Sequence, residues 1–186
     1  RHALDAGATG VQVGTAFAYC DESGMRDDYK RAVLALVAQG AVQVVTDPLA
    51  SPSGFPFKVA QVDGTVSDAA VYGARPRICD LGYLREPYRT AEGAIGYRCP
   101  AEPVSVYTSK GGHEADAQGR KCICNALMAT AGLPQTRSHG RFVEAGIVTA
   151  GDDLIGIGRF LAEGATHYTA ADVVRIIMAG AEGVRA

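Results

Sequence analysis

The chain has 186 residues, 47% hydrophobic and 20% charged, with a formal net charge of −2, which suffices for one core or two small ones. That balance gives no basic footprint for nucleic acid or for an anionic membrane surface. No apolar run reaches the roughly 18 residues of a membrane span, and no basic-then-apolar leader is seen, so a cytoplasmic location is expected. The five cysteines, odd in number and irregularly spaced, read as reduced thiols rather than a disulfide framework.

In chain order, RHALDAG reads as the end of a helix, with Leu4 apolar and Gly7 at its C-terminal cap. The reading frame is therefore expected to continue upstream of Arg1. Residues 10–13 follow as a short strand. Gly14 then permits close backbone approach to a ligand, and Thr15 adds a hydroxyl and an N–H, a combination suited to an anion. In DESGMRDDYKRAVLALVAQG, Tyr29, Ala32, Val33, Leu36 and Val37 share one helical face. Ser23 is the expected N-cap, Asp27 and Asp28 sit at the positive end of the dipole, and Gly40 ends the helix. A strand at 41–46 leads into DPLASPSGFPFKV, where three prolines and a glycine argue against continued regular structure before Lys58.

Residues 60–120 show no sustained period and are expected to be irregular, anchored by Ile78, Leu81, Tyr83, Leu84, Tyr88, Ile95, Tyr97 and Val104. Three helices are expected beyond them. At 122–131, Cys124, Leu127, Met128 and Ala131 share a face. At 152–162, Leu154, Ile157 and Leu161 fall together. At 170–179, Thr169 and Asp172 form an acidic capping box ahead of Val173, Val174, Ile176 and Ile177.

GATGVQVGTAF, followed by CDESG and an amphipathic helix, resembles the eighth strand and following loop of the FMN-dependent barrels that include the nitronate monooxygenases, formerly 2-nitropropane dioxygenases. VVTDPLASPSGFPFKV, RICDLGYL, GYRCPAEPV, KCICNAL and VTAGDDL resemble the C-terminal region of a bacterial subgroup of that family. The resemblance implies that Gln12, Val13, Gly14 and Thr15 bind the flavin phosphate. It also implies an α/β fold, with residues 1–40 as the last strand-helix unit of a TIM barrel and 41–186 as a C-terminal extension. The implied reaction is oxidation of a small nitronate, with FMN accepting electrons and O₂ as oxidant. The family's glycine-rich histidine motif and second phosphate loop have no counterpart in these residues, so no catalytic residue is nominated and the isolated chain is expected to be inactive. A related FMN-dependent enoyl reductase is the alternative within the enzymes.

A rival of another class rests on Cys79, Cys99, Cys122 and Cys124, the number that a tetrahedral zinc or an iron–sulfur cluster takes. Zinc sites usually show two close pairs, whereas Cys79 and Cys99 stand alone, and Cys124 fits the apolar face of its own helix. The expectation is structural thiols and no metal. The four histidines are in no recognisable catalytic arrangement. Asp21-Glu22, Asp27-Asp28 and Asp152-Asp153 are expected to cap helices. Arg75, Arg77, Arg85, Arg89 and Arg98 are expected to form a solvated or ion-paired surface.

Overall fold

The computed structural model describes residues 2–137 and 139–182. Arg1, and the side chains of His2 and Leu4 on which the reading of the first helix rests, lie outside the described residues. The chain is mixed α/β, with small antiparallel sheets and no closed barrel among the described residues. It divides into two units, one made of residues 1–43 and 150–186 and the other of residues 44–149.

The first unit begins with α1 (His2–Asp5), and Gly7 follows at φ +90°, where its lack of Cβ permits the left-handed turn expected there. Residues 10–13 are not a strand. They run without ladder partners into α2 (Thr15–Ala18), because strand geometry is held by neighbouring strands and none flanks this segment. The helix expected next is α3 (Asp27–Ala38), closed by Gly40 at φ +66°. Tyr29, Val33 and Val37 are buried as expected, with Lys30 and Leu34 beside them. Ser23 does not cap α3. Arg26 occupies that place, and the Ser23 hydroxyl donates instead to the Ala18 carbonyl at 2.7 Å.

Residues 152–162 form a 3₁₀ helix, Ile155–Phe160, rather than an α-helix. With three residues per turn, Leu154, Ile157 and Phe160 eclipse one another and all are buried, in place of the expected row ending at Leu161. The last helix, α8 (Ala170–Glu182), opens on the expected capping box. The Thr169 N–H donates to Asp172 Oδ2 at 3.0 Å, and the Asp172 N–H returns a bond to Thr169 Oγ1 at 3.2 Å. Glu22 adds a cap from a distance, accepting from the Ala170 N–H at 2.8 Å. Hydrogen bonds from Arg175 and Thr169 hold the Asp172 carboxyl well below the usual carboxylate range.

The second unit pairs β1 (Val44–Asp47) with β2 (Phe57–Ala60), Val44 opposite Ala60 and Asp47 opposite Phe57. The strand expected at 41–46 thus starts three residues late. Residues 60–120, expected to be irregular, contain α4 (Ala69–Ala74), the hairpin β3 (Glu86–Arg89) and β4 (Ile95–Arg98), and two short helices, α5 (Val104–Ser109) and α6 (Glu114–Ala117). Helix α7 (Cys124–Thr130) replaces the longer 122–131 element, and β5 (Thr136–Arg137) pairs with β6 (Phe142–Val143). On α7 the buried residues include Ala126 and Ala129, while Leu127 and Met128 are half-buried and Ala131 is exposed.

The core of this unit is Ala50, Val59, Val66, Ile123, Ala126 and Ile147. Several expected anchors lie outside it. Tyr83 is 66% exposed and Ile95 72%, and Ile78, Tyr97 and Val104 are exposed as well. The hairpin strands are short and pair only with each other, so their apolar side chains gain no cover from a further layer.

Arg75 departs most from expectation. It is 7% exposed and pairs with Glu144, which is 1% exposed. Its guanidinium also donates to the Cys122 carbonyl and lies 4.7 Å from the Tyr72 ring centroid. Breaking such a pair from one side strands a charge in the interior, at a cost of about 3–5 kcal/mol. Glu144→Ala should lower unfolding stability in urea by that amount. Arg75→Met combined with Glu144→Leu should recover most of the loss, because no charge is then left unpaired.

The capping box generates a pH test. An aspartate whose folded pKa is lowered contributes stability that is present above its unfolded value, and that is lost as pH falls through the folded value. The stability difference between the wild type and Asp172→Ala should be constant near neutral pH and shrink in strong acid. Thr169→Ala should cost about 1 kcal/mol at neutral pH, read by urea unfolding.

Candidate functional site

The residues expected to hold a phosphate sit where the extended segment meets α2. Gln12 and Gly14 are exposed, and Val13 and Thr15 are half-buried. The Phe17 and Ala18 N–H groups both donate to the Gly14 carbonyl, at 3.0 Å each. The N–H groups of Thr15 and Ala16 thus precede the first internal bond of the helix and point along its positive end. A Cβ built on Gly14 meets no atom within 4 Å. Space therefore exists for a group to lie against this backbone.

Thr15 has a structural partner. Its Oγ1 accepts from the Gly151 N–H at 2.9 Å, which leaves the hydroxyl proton available to an anion. Gly151 is required there, because a Cβ at that position would stand 2.7 Å from the same oxygen. The turn is further pinned by Tyr168, whose hydroxyl donates to the Ala16 carbonyl at 2.6 Å. Burial pushes the Tyr168 phenol up, so it stays a neutral donor.

A polar cleft lies further along the same unit. Asp21 accepts from or donates to His167 Nδ1 at 2.7 Å according to the imidazole tautomer. Lys30, buried on the apolar side of α3, donates to the carbonyls of Cys20, Asp21 and Ser23 at 3.2, 2.9 and 3.4 Å and pairs with Asp27 at 3.0 Å. Its charge is used up in shaping the loop. The one signal for Lys30 in the sequence is a cation one turn ahead of Val33 and Leu34 on a buried row. Asp27 and Asp28 serve as ion-pair partners of Lys30 and Arg26, not as side-chain caps of α3. Asp153 does cap, accepting from the Gly156 N–H at 3.1 Å.

In the second unit, Cys79, Cys99, Cys122 and Cys124 line a single cavity, together with Arg85 and Asn125. All five cysteines of the chain are free. Cys99 and Cys124 are buried, Cys122 is half-buried and Cys79 is exposed. Burial pushes the Cys99 thiol up to about 11, with the Ala101 N–H pulling the other way and the other three thiols adding to the rise. Burial raises Cys122 as well, against the attraction of Arg75. Among the described residues no group of three or more His, Cys, Asp or Glu side chains is arranged to hold a metal ion.

No family model, curated protein or solved structure matches this chain.

The Thr15–Gly151 bond generates a stability test for the turn. Thr15→Val keeps the shape but removes the acceptor from the Gly151 N–H, at a cost of about 1–3 kcal/mol in unfolding stability. Thr15→Ser, which retains the hydroxyl, should lie within about 1 kcal/mol of the wild type in the same urea titration.

Proposed function

We propose that residues 1–40 supply a phosphate-binding turn and its helix to an FMN-binding barrel, and that the protein acts in the flavin-dependent oxidation of a small nitronate. The observation that carries this reading is the turn at Gly14. An extended segment enters it, two helix-opening N–H groups leave it, and the space a side chain would fill is open. A phosphate fits such a place because it takes several N–H donors and favours the positive end of a helix dipole. The Thr15 hydroxyl, oriented by Gly151, adds a donor.

FMN, when bound, supplies the electron-accepting ring. The role of Gln12, Val13, Gly14 and Thr15 is to hold its phosphate and fix the position of the ring relative to the substrate. These residues include no proton acceptor of suitable pKa, so the step that removes a proton from the substrate falls to other groups.

Gly14 lies at φ −110° and ψ −61°, a conformation open to L residues. Gly14→Val should therefore leave the fold intact while filling the phosphate space. In the full-length gene product, a flavin fluorescence titration of Gly14→Val should show FMN bound about ten- to a hundredfold more weakly, the equivalent of losing one charge-assisted donor. Unchanged flavin content would overturn the assignment.

A further inference from the structure

We infer that the cleft between α3 and the segment before α8 binds an aliphatic monocarboxylate, its head group held by Arg31 and His167 and its chain lying along Leu34, Ala35 and Ala38. Two hollows adjoin there and share Arg31, Leu34 and Thr166 on their walls. The first, of about 390 Å³, is completed by polar residues that include Asp21, Lys30 and His167. The second, of about 300 Å³, is completed by Ala35, Ala38 and Ala165. Each is in the size range of small-ligand sites. Both belong wholly to the first unit.

Charge fixes the sign of the head group. Lys30 is satisfied by three carbonyls and Asp27, and Asp21 is engaged by His167 Nδ1. The exposed Arg31 guanidinium makes no hydrogen bond or ion pair among the described residues. It is the cation left to take an anion, and its fork of N–H donors matches a carboxylate. With Nδ1 on Asp21, His167 keeps Nε2 as a second polar contact for the same head group. The number of charges matters too. Asp21 and Asp27 stand on the same wall, and a doubly charged phosphate would feel about twice the repulsion of a singly charged carboxylate.

The helix period sets out the chain of the ligand. Arg31, Leu34, Ala35 and Ala38 fall at i, i+3, i+4 and i+7 of α3, on one row. From Arg31 to Ala38 the helix rises about 10 Å at about 1.5 Å per residue, the reach of an extended chain of about eight carbons. Ala35 and Ala38 are exposed, so a hydrocarbon chain laid over them removes apolar surface of both partners from water. The polar hollow and the apolar one thus follow each other as head and tail do in such a molecule. This site lies apart from the Gly14 turn, and the assignment is independent of the flavin reading.

The test is calorimetric titration of the 186-residue chain with octanoate, beside octanol, octylammonium and acetate as controls for charge and chain. Octanoate should bind about tenfold or more tightly than each of the three. Arg31→Met keeps a long apolar stem and removes the charge, and should weaken octanoate about tenfold while leaving octanol unchanged. Ala35→Phe, at an exposed position, should fill the apolar hollow and abolish octanoate binding. Should that variant fail to fold, Arg31→Met still decides. Gly14→Val should bind octanoate as the wild type does, which separates this site from the flavin phosphate. No binding of octanoate at millimolar concentration, tighter binding of octylammonium, or unchanged binding in Arg31→Met would each overturn the proposal.

Discussion

Residues 44–149 are organised around one buried charge. The Arg75 guanidinium is closed in by the Glu144 carboxylate, the Cys122 carbonyl and the Tyr72 ring, and two atoms of the pair, Arg75 Nε and Glu144 Oε2, have no hydrogen-bond partner among the described residues. A buried pair of this kind seldom exceeds a well-packed apolar cluster in stability, but separating its partners is expensive. The interaction therefore acts as a constraint. It ties the end of α4 to the segment before α7 and to the strand end at Val143, three places far apart in sequence. The Cys-x-Cys pair lies within this knot, and its backbone position follows from that of Arg75.

The first unit is built on a different economy of charge. Lys30 is buried on the wall of the cleft and satisfied by three carbonyls and a carboxylate, so its charge shapes the 20–23 loop. Glu22 leaves that loop to cap α8, and Tyr168 crosses back to hold the start of α2. The Gly14 turn is thus fixed on both sides by polar contacts. A fixed turn with open space before it suits the binding of an anion better than a mobile loop would, because little ordering remains to be done on binding.

The parts of the fold legible in the sequence were those decided locally. Helix α3 and the Thr169–Asp172 box were readable because period and capping act within a few residues. Residues 10–13 were not, since an apolar run becomes a strand only with partners beside it. The 3₁₀ helix at 155–160 escaped because spacings of three and of four residues look alike over so short a stretch. The sequence allows an ion pair for Arg75 but places it at the surface, because nothing local tells of burial against a partner sixty-nine residues away. The same limit applies to the thiols, since spacing in the chain does not show that Cys79, Cys99, Cys122 and Cys124 line one cavity.

The central claim is that the buried Arg75–Glu144 pair ties together the elements of residues 44–149. A double-mutant cycle of Arg75→Met, Glu144→Leu and their combination, read by urea unfolding, tests it most directly. The account predicts that each single substitution costs far more than the double one, because only the single ones leave a charge buried alone. Losses that simply add would contradict it.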